Sequence, residues 1–392
     1  MKITVDRSHF YLAIQSVSKA VSNRTTLKVM ENICLEVRDD TLMCRANDME
    51  LGITCQCPVQ QDDTSGPSGV LIKATTLQDV VATLKSDTIG IAIDDLFTCT
   101  IESGETSFRL LGLPVSEYPA RDPFRVESSF SMDAAILLDL IKHTLFSVSV
   151  DETKSYLNGI QFQASANECR AVSTDGVRLS VKSVAFDEPM PDCHFIVPTK
   201  AVTELSKIIN VMKVDTVQVH LSQPKVLFQF GSTELVSRLL HGRFPDYKQV
   251  IPSESFYEFK IPRNTLLLAV ERANIIASHA NFWAKFDFKD SHIDISTNNA
   301  KMGNYVDQVA MTRHVGESAL SVTFNTKSMM DVLKIMDQQD IIIRMKSATS
   351  PCLIQPFGDP SYNYVLVPIR VSDYAVNPGS ESVNAVPVAS SE

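Results

Sequence analysis

Apolar residues recur at helical spacing in two families of segments along this chain. Phe10, Ile14 and Val17 form one stripe, Leu137, Ile141 and Leu145 a second, and Leu266, Val270 and Ala273 a third. Steps of three and four place such residues on one face, so each segment reads as an amphipathic helix with its stripe in a core. A short alternating run precedes each one, at residues 3–6, 130–133 and 259–262. The second family is Leu77, Val80 and Leu84; Val202, Leu205 and Ile209; Met329, Val332 and Met336. Each of these follows a short apolar strand and a polar break, at residues 71–73, 196–198 and 323–325. The Thr or Ser after each break is expected to cap the helix. Strand-like runs at 42–48, 169–175 and 293–298 each end in a polar pair suited to a turn.

These landmarks keep one period. Phe10, Leu137 and Leu266 are 127 (137 − 10) and 129 (266 − 137) residues apart. Leu77, Val202 and Met329 are 125 (202 − 77) and 127 (329 − 202) apart. Tyr118-Pro119 and Phe244-Pro245 are 126 apart. The expected architecture is therefore α+β, three repeated domains at about 1–125, 126–253 and 254–371, each with two helices and mostly antiparallel strands. Residues 372–392, rich in Ser, Val, Ala and Pro without a period, read as a flexible tail.

Composition narrows the function. The 392 residues carry 36 Lys and Arg against 46 Asp and Glu, a formal charge of −10. That excludes a protein that coats nucleic acid with its whole surface, but not one with a local basic face. No apolar run is long enough for a membrane helix, and the N-terminal residues lack a signal-peptide core. The 8 Cys show no zinc-like spacing and read as buried free thiols, so a cytoplasmic chain without metal or cofactor is expected. No nucleophile elbow, phosphate loop or metalloprotease motif is present. The 8 His are isolated, Ser173-Thr174-Asp175-Gly176 reads as a turn, and Asp94-Asp95 as a solvated turn. A binding protein, not an enzyme, is the expectation.

Four stretches then carry a resemblance: Tyr156-Leu157-Asn158-Gly159, Thr174-Asp175-Gly176-Val177-Arg178-Leu179, Gly242-Arg243-Phe244-Pro245-Asp246-Tyr247 and Val367-Pro368-Ile369-Arg370. In this order and spacing the chain resembles the bacterial sliding clamp family, the beta subunit of DNA polymerase III, from Met1 to Val371. The resemblance implies a head-to-tail homodimer closed into a ring, helices lining the hole and sheets outside. Duplex DNA, bound without sequence preference, would thread the hole. The ring would give processivity to the replicative polymerase, and the clamp loader and repair polymerases would dock through short linear motifs. A clamp-like adaptor that binds peptides without encircling DNA is the alternative.

The resemblance also implies site residues. A partner-peptide pocket would involve Lys154, Tyr156, Leu157, Thr174, Gly176, Val177, Arg178, Leu179, Pro245, Val250, Val365, Val367, Ile369 and Arg370. Aliphatic walls would bury apolar anchors while rim groups hold polar ends; for Val365 plain core packing is the better expectation. Arg24, Lys200 and Lys207 would approach DNA, with other helix cations such as Lys19, Lys85, Lys142, Lys213, Arg272, Lys327 and Lys334 on the same faces. Phe108, Leu110, Ile275 and Ile276 would form the dimer seam. The chain departs from the family pattern at Val177, often His, at Ser328, often Tyr, and at Ser155, where an aromatic is expected. Thr25 and Lys28 replace two prolines beside Arg24, and the tail, expected near the pocket rim, is a further departure.

Overall fold

In the computed structural model, residues 1–22, 27–120, 122–316 and 319–370 are described. They form two compact units: Met1–Tyr247 with Asp359–Tyr364, and Lys248–Gly358 with the residues from Val365. No helix among the described residues is long and apolar enough to cross a membrane.

Six helices carry the repeat: α1 (Arg7–Val17), α2 (Ala74–Thr83), α3 (Ala134–Thr144), α4 (Thr199–Met212), α5 (Arg263–Ala277) and α6 (Thr326–Ile335). α1 packs beside α2, α3 beside α4 and α5 beside α6. The stripes read from sequence are buried, from Phe10 in α1 to Met329 in α6, except Leu145, which is half-buried. Leu84 and Met336 cap the ends of their helices, and Leu145 lies in a short turn after α3.

Every helix leaves a strand with no loop between them, and the last strand residue serves as N-cap in extended geometry. The expected Thr caps are corrected here. The cap positions of α2, α4 and α6 are Lys73, Pro198 and Asn325, and Thr199 and Thr326 are already helical. Only Asp6 and Asn325 cap with a side chain, accepting from His9 N at 2.9 Å and Ser328 N at 3.0 Å. In five of the six helices the first orphan amide is satisfied by tertiary contact. Arg7, Ala134 and Arg263 donate to Asp87, Asp215 and Gln339, each just beyond the partner helix. Thr199 and Thr326 donate in return to Asn158 and Phe282. Thr199 also gives its hydroxyl to Asn158 O at 2.7 Å. Five of the six helix starts, all but that of α2, are thus pinned to the chain that follows the neighbouring helix.

In the first unit one antiparallel sheet runs through both repeats. Its order is Thr106–Leu111, Thr98–Ser103, Thr88–Ile93, Lys2–Asp6, Leu51–Asp63, Thr233–Arg238, Lys225–Phe230, Thr216–Ser222 and Ser128–Asp133. The strand Leu51–Asp63 is shared: residues 51–55 pair with Thr233–Arg238 of the second repeat, and Val59 onward with Lys2–Asp6 of the first. A long hairpin, Gly159–Thr174 with Arg178–Pro198, completes this unit. The second unit holds Gly303–Ala310, His292–Asn299, Trp283–Phe288 and Leu320–Asn325 as a four-stranded sheet. Its other strands, Cys352–Pro356, Asp340–Met345, Tyr257–Pro262 and Thr312–Val315, lie side by side in that order.

All eight cysteines are free, and seven are buried; Cys193 is half-buried, a small correction to the expectation. Burial pushes the Cys55, Cys99 and Cys169 thiols up to about 12, so they stay protonated and act as small apolar groups.

Candidate functional site

The turn between the hairpin strands is built by one carboxylate. Asp175 Oδ1 accepts from Val177 N and Arg178 N, each at 3.0 Å. Its Oδ2 accepts from Arg178 Nε at 2.9 Å. Thr174 closes the other side, its hydroxyl donating to Arg178 O at 2.6 Å and accepting from Gly176 N at 3.1 Å. Gly176 sits at φ +95°, in the left-handed region that glycine adopts without strain. The Arg178 guanidinium lies 5.7 Å from the Phe146 ring centre, and Phe146 stacks on Tyr364 at 5.8 Å. An acid on one side and a π face on the other hold its fork in one orientation. Val177 projects from the tip, 57% exposed.

The segment Asp359–Tyr364 is held to the second repeat by a polar cluster. Lys182 Nζ donates to Ser361 Oγ at 2.9 Å and lies 3.5 Å from Asp139 and 3.8 Å from Asp359. His143 Nδ1 is 3.0 Å from Asp139, and its ring meets Tyr362 edge-on at 4.7 Å. The His143 hydrogen bond, helped by Lys182, holds the Asp139 carboxyl below the usual carboxylate range.

The remaining pocket candidates divide by burial. Leu157 and Leu179 are buried in the first unit, and Val365 is buried in the second. Tyr156, half-buried, lies in a short 3₁₀ segment (Glu152–Leu157) that Asp151 caps, with exposed Lys154 at its kink. Gly242, at φ +133°, lies against Tyr156: a Cβ added there would stand 2.8 Å from Tyr156 Cβ. Pro245 is exposed in the first unit. In the second, Val250, Val367 and Arg370 are exposed, and Ile369 N donates to Thr323 O at 2.8 Å.

The basic candidates are less free than the sequence suggests. Arg24 lies outside the described residues, as does the tail. Lys200 is paired with Asp48, and Lys207 with Glu204 at 2.8 Å one helical turn away. Lys334 pairs with Glu271 at 3.0 Å, and Arg272 with Asp307. Asp48 as the Lys200 partner is 152 residues distant, beyond the reach of any sequence pattern. Among the described residues, Lys19, Lys85, Lys213 and Lys327 enter no ion pair.

Two strand edges complete the inventory. Thr106–Leu111 ends its sheet, with Phe108 and Leu110 packed partly on the core and Leu111 87% exposed. In the second unit Gly303–Ala310 ends its sheet with Val306 exposed, while Ile275 near the end of α5 is exposed and Ile276 half-buried. Sequence reasoning missed Gly303–Ala310, although Tyr305, Asp307 and Val309 alternate with the outward residues as a strand requires.

Comparison with known proteins decides the family. Three descriptions match in order: DNA polymerase III beta subunit, N-terminal domain, over residues 1–122; central domain, over 131–246; C-terminal domain, over 248–370. The chain belongs to the DNA polymerase III beta subunit family. It is 28% identical to the beta sliding clamp of Bacillus subtilis across 378 residues, 94% of this chain and 100% of that one. The solved Bacillus subtilis clamp superposes with a TM-score of 0.89 at 28% identity, covering 94% and 99% of the two chains. The clamp of Bartonella birtlesii bound to griselimycin gives 0.87 at 29% identity, with the same coverage. The fold is the three-domain clamp fold of mixed helices and antiparallel sheets. As a beta subunit the chain is a sliding clamp, a processivity factor and a non-catalytic part of its polymerase. The bare catalytic inventory of the sequence agrees with that role.

Proposed function

We propose that two copies of this chain join head to tail and encircle duplex DNA, and that polymerases, repair factors and the clamp loader dock through short linear motifs. The match of all three beta-subunit domains, in order and at full length, carries this reading. Three domains per chain, near the boundaries 1–125, 126–253 and 254–371, would supply six similar units to the ring. Two terminal strands with apolar neighbours, Thr106–Leu111 and Gly303–Ala310, suit the seam, because an open edge has amides and carbonyls to pair. Phe108, Leu110, Ile275 and Ile276 would be its apolar part.

Topological linkage needs no tight grip, so a chain of charge −10 can hold DNA through a few screened cations. Lys200 and Lys207, already partnered by acids, would contact phosphate weakly and transiently, which suits a ring that must slide. The oriented Arg178, with Thr174, Leu157, Leu179 and Pro245, would form the second-domain side of the partner-peptide site. Griselimycin bound to the Bartonella clamp supports a ligand site in this family.

The test is retention on DNA. Loaded on a nicked circle, the protein should co-elute with DNA and leave when the circle is cut. Equal retention on circular and linear DNA would refute encirclement and favour a clamp-like adaptor.

A further inference from the structure

The turn that presents Arg178 has a twin in the first repeat. Asn47, Asp48 and Met49 stand 127 residues before Thr174, Asp175 and Gly176. Asp48 Oδ1 accepts from Glu50 N at 3.0 Å and Leu51 N at 2.7 Å, as Asp175 does from its own two amides. Met49 takes the left-handed position at φ +76°, where the second repeat has Gly176. A methionine accepts strain there that a glycine avoids. Its side chain stays 57% exposed.

This turn walls a cleft of about 370 Å³ between the first and second repeats, both within the first unit. Tyr118-Pro119 forms a second wall, as the counterpart of Phe244-Pro245. The Tyr118 hydroxyl accepts from Asn47 N at 2.9 Å, tying the two walls together. Half-buried Phe124 and Val236 supply apolar surface. The charges are uneven. Lys225 and Asp122 satisfy each other at 2.7 Å. That leaves Arg45 and Arg238 against Glu50. Arg45 lies over the Tyr118 ring at 5.5 Å, and its buried Nε has no hydrogen-bond partner in the structure. Its pairing with Glu36 is long, 3.8 Å. Arg238 has an exposed side chain and enters no ion pair among the described residues.

We propose that this cleft is a second ligand site, which takes a short extended peptide ending in a free carboxylate. The carboxylate would sit between Arg45 and Arg238, whose planar forks suit it. One or two apolar side chains would lie on Phe124 and Val236 beside Met49. The volume fits a ligand of that size. The guanidinium chemistry has moved between the repeats: Leu51 takes the place of Arg178 on the turn, and Arg45 and Arg238 bring the charge from strands instead.

The probe is the tripeptide acetyl-Leu-Leu-Ala with a free C-terminus, set against its C-terminal amide and against inorganic phosphate. The reporter is the Met49 methyl group in full-length protein carrying ¹³C-methyl methionine, assigned through Met49→Leu. The acid should shift the Met49 signal with saturation at millimolar concentration. The amide and the Arg238→Gln variant should each bind about tenfold more weakly, the loss of one charge-assisted contact. Arg178→Gln should leave the Met49 response unchanged, which separates this site from the proposed partner pocket. An unmoved Met49 signal, equal binding of acid and amide, or equal displacement by phosphate would overturn the proposal.

Discussion

The cleanest perturbation of the proposed partner site is Asp175→Asn compared with Asp175→Ala. The asparagine keeps an oxygen for the two backbone amides of Val177 and Arg178, and loses only the acceptor for Arg178 Nε. That bond joins a guanidinium 13% exposed to a carboxylate 23% exposed, so solvent screens it little. A charge-assisted bond in such a place contributes about 2 kcal/mol. The alanine also strips both amides of their acceptor, at about 1 kcal/mol each, for a total near 4 kcal/mol. For a unit of this size, Tm should fall by roughly 2–4 °C per kcal/mol. Function should respond differently from stability. Both variants free Arg178 to turn away from Phe146, so both should bind a fluorescently labelled clamp-binding peptide more weakly, by about tenfold or more. Fluorescence anisotropy with a parallel melt separates the two effects. Wild-type affinity in a folded Asp175→Asn protein would refute the claim that the carboxylate orients Arg178 for binding. Equal melting of the two variants would refute the claim that Asp175 holds the turn.

Other outcomes follow from the same structure. Ile275→Asp with Ile276→Asp should yield monomers in sedimentation velocity, and a persistent dimer would remove α5 from the seam. Gly242→Ala combines φ +133° with a 2.8 Å approach to Tyr156, so it should lower Tm and weaken peptide binding together; an unchanged protein would contradict the rigid Gly242–Tyr156 contact. Asp139 has a depressed carboxyl, held down first by its hydrogen bond from His143. Its stabilising effect is therefore full above the unfolded value of about 4 and is lost as pH falls through the lower folded value. Asp139→Asn should be less stable near neutrality yet flatter in acid titration, and a parallel acid profile would contradict the cluster. Lys200→Gln, since Asp48 already neutralises that ammonium, should change the salt dependence of DNA binding by less than one full phosphate contact, read from the slope of affinity against salt.

The periodic part of this architecture was legible because helix stripes report burial directly. Phe10, Leu137 and Leu266 mark equivalent helices, and all three are buried. The polar turns at Asp94 and Asp175 were legible for a local reason, since an Asp that accepts from amides two to four residues ahead needs no distant partner. Long-range chemistry was not. Thr199 and Thr326 look like caps in sequence, but the strand residue before each takes that place and the threonines bind across to the neighbouring segment. Lys200 reads as a cation available to DNA until Asp48 arrives from the other repeat. The Lys182, Asp139 and Asp359 cluster joins residues too far apart for any spacing rule. The shared strand Leu51–Asp63 was also hidden, because its length shows neither where one pairing ends nor where the next begins.

That shared strand sets a schedule for the nascent chain. Its Cys55 meets Thr233 across 178 residues of sequence. Until Thr233–Arg238 leaves the ribosome, residues 51–55 must wait with one edge unpaired. At about 5–20 residues per second that wait lasts on the order of 10–40 s. The first repeat therefore cannot finish as an independent product of translation. A ribosome stalled between the two repeats would display a sticky apolar strand edge, and the chain should lean on holding chaperones most heavily in that interval.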